Sequence, residues 1–160
     1  LPILTIPVSM GCNINGIVLA KLSVYGVFIM LINVIGMLVA YYYSGIIFGF
    51  TYGSLLAATV SGAAYGLFFV FVISILILLS SFVKKAFVSV AVTLLTVYLM
   101  PLAGYISAVK RYLPVSMLTE ANYFADILSK NMVVSMLCTI GLTVIFYVLS
   151  VFKLERVEFV

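Results

Sequence analysis

The chain has 160 residues and a mass of 17.4 kDa; 66% of it is apolar, 8% is charged, and its mean hydropathy is +1.40. Soluble domains carry about 25% charged residues, and eight basic plus four acidic side chains are too few to clothe a globule of this size without large apolar patches. Composition therefore excludes an ordinary soluble fold and makes lipid the expected solvent.

The net charge of +4 does not signal nucleic acid. The basic residues Lys21, Lys84, Lys85, Lys110, Arg111, Lys130, Lys153 and Arg156 are scattered and form no stripe. They read instead as topology markers. Leu1 is not an initiator methionine and no basic n-region precedes the apolar start, so a signal peptide is a poor reading and the chain reads as a fragment or processed piece.

A bilayer core takes about 20 apolar residues of helix. After a mixed stretch at 1–15, the first such span is expected at about 16–43, interrupted only by Lys21, which snorkels from near one end. Residues 44–66 are apolar but rich in small side chains, and are open to reading as a loop, a re-entrant turn or the start of a long second helix. Spacing favours helix: Gly45, Gly49, Gly53, Ala57 and Ser61 recur every four residues, as do Ser54, Ala58, Gly62 and Gly66, the pattern that lets backbones approach closely in lipid. The simpler reading is that Gly and Ala are merely common in membrane helices.

The second span, about 55–82, closes at the pair Lys84 and Lys85. A third, about 86–109, contains Pro101 and Gly104, which should kink or break its outer end. Residues 110–130 form the one polar stretch of any length. It holds a short helix with Thr119 or Ser116 as cap, Glu120 near its positive end, and Asp126 and Lys130 at the favourable acid-first spacing. Its Tyr112, Leu118, Tyr123, Phe124 and Leu128 suit a membrane interface, and a plain connecting helix and a substrate-contacting gate are both open. A fourth span covers about 131–152, followed by a charged tail at 153–160. The fold class expected is all-α: one polytopic transmembrane domain of about four helices, with a short outer loop that is re-entrant or interfacial. With a cytoplasmic N-terminus, Lys21, Lys84, Lys85, Lys153 and Arg156 lie inside and Lys110, Arg111 and Lys130 outside, a bias of five to three in the direction of the positive-inside rule.

Catalytic machinery is not legible. There is no glycine-rich phosphate cradle ending in Lys-Ser or Lys-Thr. Glu120 and Asp126 fall on different helix faces, and Glu155 and Glu158 sit in the tail. Without histidine, and with Cys12 and Cys138 far apart, neither a zinc site nor an activated serine is readable, so no enzyme and no cofactor is expected on this chain. No ionisable group lies at mid-span, which disfavours an ion-coupled carrier. The polar residues within the spans include Asn33, Ser74, Thr93, Thr96, Thr139 and Thr143. Of these, Asn33, Thr96 and Thr139 are the candidates for lining a path. Asn33 suits an interhelical hydrogen bond as well as a substrate contact, and Tyr41, Tyr42 and Tyr43 suit an interfacial aromatic belt.

In order, the features are LPILTIPVS, a short polar patch, GIVLAKL opening a span, a Lys-Lys hairpin, a Pro-interrupted span, a YLP loop and a last span with a charged tail. This resembles the later part of an ABC-2 type transporter permease. The matching residues are Leu4, Pro7 and Ser9 of a Leu-x-x-Pro-x-Ser pattern, then Ala20 and Lys21 at the start of a span. The resemblance implies a cytoplasmic region near the coupling helix at 1–15, with Leu4, Pro7, Ser9, Lys21, Lys84 and Lys85 as candidates for coupling to an ATPase. It also implies a re-entrant outer region through Pro101, Tyr112, Leu113 and Pro114. Members of the family usually carry a basic residue after Pro-x-Ser where this chain has Met10, Gly11 and Cys12, and usually have six spans. The expected function is that of the membrane-spanning subunit of an ABC exporter in the cell membrane. It would pair as a homo- or heterodimer with the small-residue face at 45–66 as one candidate contact, and a separate ABC ATPase subunit would drive it. The alternative is a non-transporting anchor or assembly subunit.

Overall fold

The computed structural model describes residues 14–49, 53–83, 85–121 and 129–158. Leu4, Pro7, Ser9, Lys84 and Asp126 lie outside these residues. Among the described residues six helices follow one another: α1 (Ile14–Phe48), α2 (Leu55–Phe82), α3 (Ala86–Ala103), α4 (Ser107–Lys110), α5 (Pro114–Ala121) and α6 (Lys130–Glu158). No strand occurs among the described residues. Four of the helices are long and apolar enough to cross a membrane: Gly16–Phe48, Leu55–Phe82, Ala86–Ala103 and Lys130–Leu154. The chain is an all-α, multi-pass membrane protein, the form that keeps every backbone hydrogen bond inside its own segment where lipid offers none.

Local chemistry sets the helix ends. α1 continues past Tyr43 to Phe48 because nothing before Gly49 interrupts it, and Gly49 and Gly53 then take φ of 79° and 86°. That left-handed backbone is open to glycine and strained for other residues. The small-residue repeat through 45–66 is therefore not one continuous helix face, since two of its glycines make the turn between helices. Ser54 caps α2, its hydroxyl accepting from the Ala57 N–H at 3.1 Å. α3 stops at Ala103 rather than reaching 109: the Pro101 ring removes one rung of the ladder, and Gly104 N–H turns back to Pro101 O at 3.0 Å. Ser116 and Thr119 are not caps but lie inside α5, which opens on Pro114, whose missing N–H costs nothing at a first helical position.

α2 is the centre of the bundle. Ten of its residues are buried, from Ala57 to Ile75, and it touches α1, α3, α5 and α6. α1 runs antiparallel to it at close range. A Cβ placed on Gly62 would lie 2.6 Å from Val34 Cα, one on Gly66 would lie 3.0 Å from Met30 Cα, and one on Gly26 would lie 3.4 Å from Val70. The face of Gly62 and Gly66 is thus packed on α1 within the chain, where the sequence reading had 45–66 as one candidate contact between copies. α6 runs alongside α2 in the same direction: Met132 joins Ala64 and Phe68 in one buried cluster, Phe71 stacks on Phe146 at 5.8 Å, and Lys153 Nζ sits 5.3 Å above the Phe82 ring. α3 packs chiefly on α2 and has only Ser89 and Thr93 buried.

Candidate functional site

The interior of the bundle is lined by hydroxyls. Its buried polar residues, among those described, are Ser61, Ser74, Ser89, Thr93, Ser135, Thr139, Thr143 and Ser150. Most turn inward on their own helix. Ser74 donates to Phe71 O at 2.7 Å, Thr93 to Ser89 O at 2.8 Å, Thr139 to Ser135 O at 2.7 Å and Thr143 to Thr139 O at 2.8 Å. A hydroxyl that bonds the carbonyl one turn back adds no charge and little volume, so these residues let helices pack closely without leaving polar atoms stranded in lipid.

The three candidate path residues are not brought together. Asn33 is half-buried on α1 beside Gly62, and its amide donates to Ile29 O at 2.9 Å, a bond within its own helix rather than between helices. Thr139 is fully buried against the core, and Thr96 is exposed on α3 with its hydroxyl on Val92 O at 2.8 Å. They share none of the described cavities. No group of three or more metal-ligating side chains occurs among the described residues.

No protein-family model matches the chain, and neither a curated protein nor a solved structure is similar to it. Its function has to be argued from its own geometry.

Two features bear on that. The first is the outward face of α3, on which Phe87 (83% exposed), Leu94 and Tyr98 (80% exposed) recur at helical spacing. Tyr98 lies five residues before the end of α3, and its phenol has no hydrogen-bond partner among the described residues. An exposed phenol favours an interface, water or a protein surface over lipid tails. The second is the way α4 and α5 fold back. Pro114 and Met117 are buried, and Met117 sits in the cluster of Ala64, Phe68 and Met132 between α2 and α6. A hydroxyl clasp fixes this return: Ser135 of α6 donates to Leu113 O at 2.7 Å, and Ser116 donates to Ser135 Oγ at 3.0 Å. The sequence reading had not singled out Ser135. Its one available signal was the four-residue polar stripe of Ser135, Thr139 and Thr143 on a helix that is otherwise apolar.

The coupling candidates that the structure describes, Lys21 and Lys85, are exposed toward the end of the bundle where α1 and α3 begin and α2 and α6 finish. Lys110, Arg111 and Lys130 are exposed at the opposite end. One buried group stands apart from the satisfied set. Ser89 Oγ, next to the start of α3, has no hydrogen-bond partner among the described residues. An orphaned buried hydroxyl costs about 1–3 kcal/mol, so Ser89→Ala should leave the fold intact and raise the thermal midpoint in detergent. A drop would mean that the hydroxyl has a partner, such as a water.

Proposed function

We propose that this chain is the membrane-spanning permease subunit of an ATP-binding cassette exporter in the cell membrane, forming the substrate path and driven by a separate ATPase subunit. The observation that carries this reading is the outer end of the bundle. The third span stops short at Pro101–Gly104, and α5 returns to dock between α2 and α6 before the last span begins. A re-entrant element at that place is what the resemblance to ABC-2 permeases implied. The exposed phenol of Tyr98 on α3 adds a second support, because it favours a protein or aqueous surface that the single bundle does not supply. Two bundles meeting along that face of α3 would give it one. A path would then lie between bundles rather than through one.

In this mechanism, closure of two ATPase subunits on ATP pushes the end of the bundle that carries Lys21 and Lys85. Because α2 contacts each of the other three spans, a push there rotates the bundle as a unit and alternates the opening between bundles. By the positive-inside bias, that end faces the cytoplasm. Co-purification with an ATPase, and ATP hydrolysis in proteoliposomes that responds to substrate, are the expected results. Unaided transport by the isolated chain would sink the reading.

A non-transporting anchor is the second reading, favoured by the self-satisfied hydroxyls of the interior. The two separate at Thr96. In a permease, a cysteine at Thr96 reacts with a membrane-impermeant thiol reagent in the presence of ATP, whereas one at Thr139, fully buried, stays silent. If Thr96→Cys is equally silent in the assembled complex, the anchor reading stands.

A further inference from the structure

A cavity of about 220 Å³ opens where α3 ends, lined by Pro101, Gly104, Tyr105, Lys110, Leu113, Val115, Ser116 and Thr119. It has room for a group the size of several waters. Its depth follows from helix length. α3 has 18 residues, about 27 Å at about 1.5 Å per residue, close to the roughly 30 Å of a hydrocarbon core. With Lys85 at one face of the core, the end of α3 reaches the other face, at the level of the headgroups. The longer α1 and α2 accommodate by tilting or by extending past it.

The lining chemistry is one-sided. Lys110 is the sole charged residue among the eight, Arg111 is exposed beside it, and none of the eight is acidic. The hydroxyl hydrogen of Thr119 is taken by Ser116 O at 2.7 Å, and that of Ser116 is held within the Leu113–Ser135 clasp. The side-chain donors left to meet a ligand are the Lys110 ammonium and the phenol of Tyr105, which is 87% exposed. Pro101, Leu113 and Val115 supply an apolar wall beneath them. A cation and a phenol above an apolar wall, at headgroup depth, complement an anion that carries acyl chains. We propose that this recess holds the phosphate-bearing headgroup of an anionic phospholipid, with Lys110 as its charge partner and Tyr105 as the second donor. The site needs only the bundle in its membrane, so it stands whether or not the chain transports.

The test uses the full chain in a neutral detergent, titrated separately with phosphatidylglycerol, phosphatidylcholine, glycerol phosphate and inorganic phosphate. The readouts are bound lipid by native mass spectrometry and the thermal midpoint. Phosphatidylglycerol is expected to be retained and to stabilise, while the other three do neither. Lys110→Gln should weaken retention about fivefold, the effect of one basic residue near an anionic surface, and Lys110→Arg should preserve it. Thr119→Phe, which fills the recess from an exposed position and leaves the charge in place, should weaken retention as well. Lys130→Gln, a cation at the same end but outside the recess, should not. Equal losses in Lys130→Gln and Lys110→Gln would overturn the proposal in favour of a diffuse surface charge. An equal shift with glycerol phosphate or inorganic phosphate alone would overturn the lipid assignment in favour of a free anion.

Discussion

Replacing Gly62 with leucine is expected to disrupt the bundle more than any other single change in the spans, and even alanine there should be costly. A Cβ at that position would lie 2.6 Å from Val34 Cα, 3.0 Å from Asn33 O and 3.2 Å from Val34 N. All three are backbone atoms of α1, so no side chain can swing aside and the helices themselves must part. Overpacking a core costs about 1–3 kcal/mol when side chains can adjust, and a rigid backbone contact belongs at or above the top of that range. The loss falls on close packing, which in lipid carries much of the association between helices because burial from water contributes nothing there. Gly36→Ala and Gly141→Ala are the matched controls, since a Cβ on either meets nothing within 4 Å. Thermal unfolding in detergent should show a large drop for Gly62→Ala, no folded species for Gly62→Leu, and little change for the controls. A Gly62→Ala midpoint equal to that of Gly36→Ala would refute the close α1–α2 contact.

That glycine was legible in the sequence as one of a four-residue repeat, but its partner was not. Small residues at helical spacing say that a backbone comes near without saying whose, and here the answer was a neighbour within the chain. The end of α2 is marked in the sequence by the Lys pair, while its start within 44–66 is open there and is set by the Ser54 cap after the turn at Gly49 and Gly53. Two of the other spans differ from their helices, in opposite directions. α1 was read too short, because the tyrosine triplet at 41–43 looked like an interfacial belt, although an aromatic belt does not end a helix. α3 was read as a span to 109 with a kink or break expected at Pro101 and Gly104, and the helix ends at that place, at Ala103. Asn33 drew attention as the strongest polar side chain in a span, yet its own helix satisfies it through Ile29 O. The clasp of Ser135, Leu113 and Ser116 was invisible for a different reason: one of its three groups is a backbone carbonyl, exposed by the turn before Pro114, and no residue type marks such a carbonyl.

The second large effect is expected at Met117. Its side chain is completely buried among Ala64, Phe68 and Met132, with Val97, Met100 and Val115 packed around them, so it fixes α5 to α2 and α6. Met→Ala in a soluble core costs about 2–5 kcal/mol, the sum of a transfer part and a cavity part. In lipid the transfer part shrinks, because the unpacked side chain meets hydrocarbon rather than water, and the loss should fall toward the lower end of that range. It is still large, because α5 is short and has few other anchors. Ser135→Val is the polar counterpart. It removes the donor to Leu113 O and the acceptor for Ser116, but Leu113 O keeps the Ser116 N–H at 3.0 Å and the Ser116 hydroxyl at 2.8 Å, so the loss is that of one net hydrogen bond, about 0.5–1.5 kcal/mol. The two residues hold the same element, so their effects should be less than additive in the double variant. Thr119→Ala, on the exposed side of α5, is the control and should be near neutral. Thermal midpoints measure the stability loss, and a reporter cysteine at Val115 should become more reactive in both variants as α5 loosens. If Met117→Ala leaves the midpoint and that reactivity unchanged, α5 does not dock between α2 and α6, and the re-entrant outer element on which the permease reading rests is lost with it.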